Sequence, residues 1–128
     1  MDEVILNKFS SLEKCIYRVR EEYAACKGDI KNDILRQDSI ILNIERACEQ
    51  CIDIGQRTIR KRQLGLAKEY RDVFTILAEK KIIPTTMSDH LKKMVGFRNL
   101  AIDIEILKSI IENRLEELLE FGRIIIKL

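Results

Sequence analysis

Apolar residues recur along this chain at spacings of three and four, the pattern of helices that each bury one face. Over about 3–25 the stripe is Ile5, Phe9, Leu12, Ile16, Val19 and Tyr23, which predicts a first helix. Gly28, Asp29, Asn32 and Asp33 then read as a turn. A second helix opens near 33–39 and runs to about Arg62. Ile40, Ile44, Ala47, Cys51 and Gly55 form one edge of it, and Ile41, Cys48, Ile52 and Ile59 widen the apolar face. So broad a face implies contact with more than one helix or with a second chain. A helix of about 25 residues rises about 38 Å, which makes it the expected central rod, with Gly55 either marking a close crossing or merely costing helix stability.

A short connection around Gly65 leads to a third helix over about 68–80, expected to bury Tyr70, Val73, Phe74 and Leu77. Pro84, Thr85 and Thr86 start a fourth, one threonine serving as its cap. A fifth runs to about Phe121, where Gly122 permits a stop, and the tail of Ile124 to Ile126 and Leu128 is expected to pack across a neighbouring surface. The chain should therefore be an all-α, antiparallel bundle of four to five helices, with residues 1–128 forming a single domain.

The pattern fails at one place. Met87, Leu91 and Met94 lead at helical spacing to Arg98, a permanently charged fork of donors where the stripe asks for an apolar side chain. Continued further, the same face would carry Glu105, Ser109, Glu112 and Glu116, whereas Leu107, Ile110, Ile111, Leu115 and Leu118 form a stripe of different phase. One straight helix cannot bury both sets. A break is needed between about 99 and 105, yet neither Gly nor Pro lies there.

Composition narrows the classes. With 46% hydrophobic and 34% charged residues over 128 positions, the chain can bury a core without metals or disulfides. A net charge of +2 does not by itself argue for nucleic-acid binding. Basic residues do gather at Arg57, Arg60, Lys61, Arg62, Lys68 and Arg71. They read either as a phosphate-attracting patch or as a solvated helix end that suits the dipole. The thiols Cys15, Cys26, Cys48 and Cys51 fall within helical patterns, and Met1-Asp2-Glu3 opens no secretory leader, so reduced core thiols and a cytoplasmic location are expected. Cys48 and Cys51 have redox-motif spacing but sit inside a long helix. His90 is the single histidine, remote from the cysteines and read as a polar-edge residue, so no zinc site, other metal or cofactor is expected. No apolar run reaches the roughly 20 residues that cross a bilayer.

Arg98 and Asn99 are the candidate site residues. Arg98 could hold a phosphate through paired hydrogen bonds, with Asn99 positioning it or capping a local break. Arg98 could equally pair with Asp53 or Glu45 in the core or at a dimer contact. Metal-free phosphodiester cleavage would further need a proton-transfer group, normally histidine, and none follows Arg98.

The run Gly96-Phe97-Arg98-Asn99-Leu100-Ala101 resembles HEPN-domain toxins of the HepT type, which are encoded with a minimal nucleotidyltransferase antitoxin. The similarity extends through Arg36-Gln37-Asp38-Ser39-Ile40-Ile41-Leu42-Asn43, Arg46-Ala47-Cys48-Glu49, Gly65-Leu66 and Lys92-Lys93-Met94-Val95-Gly96. It implies a HEPN-like bundle, a homodimer, an antitoxin partner and metal-independent cleavage of RNA, with Arg98 and Asn99 matching the active-site motif. In that family a histidine follows the arginine after four to six residues, usually with a tyrosine two positions later. Neither has a match here. Either Asp103 and Glu105 stand in their places, leaving an inactive helical dimer that binds an antitoxin or partner, or a loop is missing after Ile102. The phase break favours the missing loop.

Overall fold

The computed structural model describes residues 2–95 and 103–128. Six α-helices occur among these: α1 (Glu3–Ala25), α2 (Ile34–Arg62), α3 (Tyr70–Glu79), α4 (Thr85–Val95), α5 (Ile104–Asn113) and α6 (Leu115–Ile126). A single 3₁₀ turn, Ile30–Asn32, joins α1 to α2. The all-helical bundle read from the periodicity is the one observed.

α1 and α2 pack antiparallel, and their ion pairs record the register. Asp2 meets Arg57 at 2.7 Å, Lys8 meets Asp53 at 3.2 Å and Glu22 meets Arg36 at 3.9 Å, so one partner descends α2 as the other ascends α1. Between the two helices lie Leu12, Ile16, Val19, Ile40, Ile44 and Ala47, all buried. α3 and α4 form a second hairpin, and α6 lies against α1, α2 and α4. The long α2 is thus the central rod that its wide apolar face predicts. It ends where Gln63 adopts φ 54° and the Leu64 amide donates to the Ile59 carbonyl at 3.0 Å.

Two glycines set how closely the helices approach. A Cβ on Gly55 would collide with the Val73 side chain of α3, and one on Gly122 would collide with the Phe9 ring of α1. Gly55 therefore marks the close crossing that its place on the stripe suggests. Gly122 corrects a boundary: it lies inside α6 and ends nothing, because its lack of a side chain lets Phe9 seat against the helix. Phe121 beside it meets Phe74 edge-to-face, with centroids 5.5 Å apart.

Three further boundaries differ from the periodic reading. The expected fifth helix is two helices divided at Arg114 (φ −118°, ψ −17°), so the C-terminal stripe turns to follow first α1 and then α1, α2 and α4. The tail beyond Gly122 continues α6, burying Ile125. α4 begins at Thr85 with the Pro84 carbonyl accepting from the Ser88 amide at 3.1 Å, so the threonines sit within its first turn and proline occupies the cap position.

Tyr70, expected in the core, is 63% exposed, while Val73, Phe74 and Leu77 are buried as expected. It is the first residue of α3, one turn before the stripe reaches the bundle. A reciprocal capping box between Glu69 and Asp72 holds that end of the helix in solvent.

Candidate active site

Arg98 and Asn99 belong to the segment 96–102, outside the described residues. The described elements before and after this segment in the chain are α4 and α5. On the upstream side α4 ends at Val95. On the downstream side Asp103 caps α5, its carboxylate accepting from the amides of Glu105 at 2.9 Å and Ile106 at 3.2 Å. A new helix therefore starts where the apolar stripes change phase. One oxygen of Asp103 is thus engaged in capping the helix.

Beside Val95 opens a cavity of about 430 Å³ between α2 and α4. Glu45, Glu49 and Asp53, at helical spacing on α2, form one wall. Ile52 and Met94 supply apolar surface, and Tyr70 stands at the edge. Asp53 is paired with Lys8. A more open depression of about 500 Å³ is bounded by Lys68, Glu69, Arg71 and again Tyr70 and Val95. The two concavities thus share the exposed Tyr70 and the last residue of α4, Val95.

The basic cluster read from the sequence divides in three. Arg57 Nε and Lys61 Nζ donate to one Asp2 carboxylate oxygen at 2.7 and 2.9 Å. These donors, helped by the Ile5 amide, hold the Asp2 carboxyl well below the usual carboxylate range. Arg60 and Arg62 stand exposed in the last turn of α2, where cations suit the dipole. Lys68 and Arg71 remain near Tyr70.

His90 is a polar-edge residue, as read, and it is anchored. Its Nδ1 lies 2.8 and 2.9 Å from the two Glu117 oxygens, and Arg114 Nη1 donates to the same carboxylate at 3.1 Å. An ionised carboxylate only accepts, so Nδ1 carries the proton. Sequence spacing could not pair residues 27 positions apart on different helices. The Asp2 cluster, by contrast, had a local signal in an aspartate immediately before a helix.

The four thiols are free and buried. Cys48 donates to the Met94 carbonyl and Cys51 to the Leu118 carbonyl, each at 3.8 Å. Burial pushes the Cys48 thiol up to about 12 and Cys51 well above its ordinary value, which suits inert core groups rather than redox partners. Tyr23 donates to Glu112 and is likewise raised to about 12, chiefly by that carboxylate. Among the described residues no group of three His, Cys, Asp or Glu side chains could hold a metal ion, and no helix is long and apolar enough to cross a membrane.

The family described as "Ribonuclease HepT-like" matches residues 12–125. The chain belongs to the HepT-like ribonuclease family. Its relatives include the mRNA nuclease HepT of Shewanella oneidensis, 39% identical over 127 residues that cover 94% of this chain and 95% of the relative. The tri-AMPylated Shewanella oneidensis HEPN toxin, solved in complex with an MNT antitoxin, superposes with a TM-score of 0.94 at 37% identity over the full length of both chains. A toxin–antitoxin structure with AMP-PNP gives 0.91 at 38% identity over 98% of this chain and 99% of the other. The HepT-like fold is therefore shared along the whole molecule. The alignment to the curated nuclease runs over 127 residues yet takes in only 94% of this chain's 128, so the relative has residues with no counterpart here.

Proposed function

We propose that this HepT-like chain is the toxin of a HEPN/MNT toxin–antitoxin pair. The family match, spanning residues 12–125 on a shared fold, carries that reading. The activity of the class is metal-independent cleavage of RNA phosphodiesters. In this chain Arg98 and Asn99 are the catalytic-site candidates: Arg98 holds the scissile phosphate through two parallel hydrogen bonds, and Asn99 orients it. The residues of two protomers meet across a homodimer, and the partner is a minimal nucleotidyltransferase antitoxin. Residues 1–128 act as one domain in the cytoplasm.

Proton transfer is the step this chain is least equipped to perform. No histidine follows Arg98, and Asp103 serves as a helix cap. We place the residues that the curated relative has and this chain lacks in a loop after Ile102. Cleavage by the chain should accordingly be weak. That observation favours one second reading, a helical dimer that binds RNA or antitoxin without turnover.

The test is cleavage of labelled single-stranded RNA in the presence of a chelator by wild type and Arg98→Ala, beside light scattering of both. Arg98-dependent cleavage by a dimer supports the nuclease reading. Equal background from the two dimers supports the binding reading. A monomer at micromolar concentration overturns the paired site in both.

A further inference from the structure

Tyr70, like Tyr17, is an exposed aromatic residue. It is 63% exposed, and among the described residues its hydroxyl has no hydrogen-bond partner. A large apolar ring held in water at a helix start adds little to the fold, since the burial that stabilises α3 comes from Val73, Phe74 and Leu77. Its position is more informative. Tyr70 and Val95 are the two residues that line both the cavity beside α2 and the depression beside Lys68 and Arg71.

We propose that Tyr70 is a stacking platform for one nucleotide of a single-stranded RNA, with the base turned toward Glu49 on the α2 wall and the phosphate toward Lys68 and Arg71. The inference rests on the RNA reading of the chain. Lys68 and Arg71 are both exposed and make no ion pair among the described residues, so they are available to a phosphate. Glu49 is exposed and makes no ion pair among the described residues, so its carboxylate repels a phosphate. It can accept hydrogen bonds from the exocyclic amines of adenine or cytosine, whereas the two carbonyl oxygens of uracil would face like charge. The cavity's apolar surface at Ile52 and Met94 suits a flat base. Charge therefore orients the nucleotide across the ring and discriminates among bases.

The experiment is fluorescence anisotropy with end-labelled oligo(A), oligo(C) and oligo(U) RNA on the full chain, using wild type, Tyr70→Ala, Tyr70→Phe and the Lys68→Ala/Arg71→Ala pair. Stacking on a tyrosine predicts a loss of about tenfold in affinity for Tyr70→Ala and near-wild-type affinity for Tyr70→Phe. The lysine and arginine substitutions should flatten the salt dependence. Oligo(A) and oligo(C) should bind more tightly than oligo(U), and Glu49→Gln should narrow the difference. Wild-type affinity in Tyr70→Ala, with RNA still bound, overturns the platform and leaves the RNA reading standing. So does a Tyr70→Ala variant that keeps RNA affinity but no longer dimerises, which would make the ring a protein contact. Failure of wild type to bind any of the three removes the RNA reading itself.

Discussion

His90 Nδ1 lies 2.8 Å from a Glu117 carboxylate oxygen, fastening α4 to α6 across the segment that carries Arg98. Arg114 meets the same carboxylate from the junction of α5 and α6, so one anion ties the helix before that segment to both helices after it. The pair is about one-quarter exposed, which places each hydrogen bond at the weaker end for charged partners. His90→Ala should cost about 1 kcal/mol in urea unfolding. A double-mutant cycle with Glu117→Gln should give positive coupling between the two. Strictly additive losses would mean that the contact contributes nothing.

Asp2 makes stability depend on acid. Its folded carboxyl titrates below the ordinary value of 3.8 because Arg57 and Lys61 donate to it. The stabilisation is complete above that ordinary value and is lost as pH falls below it toward the folded value. The stability difference between wild type and Asp2→Asn, followed by urea midpoints, should stay flat from neutral pH to about 4 and then shrink. A difference that persisted unchanged at the lowest pH would assign the effect to packing instead.

Gly55→Ala should destabilise the protein despite alanine's better helix propensity. The added methyl meets Val73 on a neighbouring helix, and overpacking of this kind costs about 1–3 kcal/mol against a propensity gain of about 1. Val73→Ala in the same chain should recover part of the loss, and thermal unfolding of the single and double variants measures it.

The thiols should react only when the fold opens. With burial raising Cys48 to about 12 and Cys51 well above its ordinary value, almost no thiolate exists at pH 8 and neither group is accessible. Labelling of these two by an aromatic disulfide should therefore be slow in buffer and complete in urea. Rapid native labelling of either would contradict their burial.

A short segment bearing histidine and tyrosine, inserted between Ile102 and Asp103, should create RNA cleavage that Arg98→Ala abolishes. General acid–base assistance is commonly worth about 100-fold or more. A folded insertion variant without activity would place the missing chemistry elsewhere and strengthen the binding reading.

Much of this molecule is written in local spacing. A stripe at threes and fours gives each helix its buried face whatever surrounds it, which is why α1, α2 and the buried side of α3 follow from the pattern alone. The change of phase around residues 99–105 likewise required a helix start, and Asp103 supplies its cap. The Arg98-Asn99 pair and the absence of a following histidine are sequence facts too. Tertiary packing decided the rest. Tyr70 continues the apolar stripe of α3, but its exposure depends on where the bundle ends. Gly122 reads as a stop in isolation, and only the Phe9 ring against it shows why it sits within a helix. Glu117 gathers His90 and Arg114 because three helices converge there, and a one-dimensional period carries no information about which helices will meet.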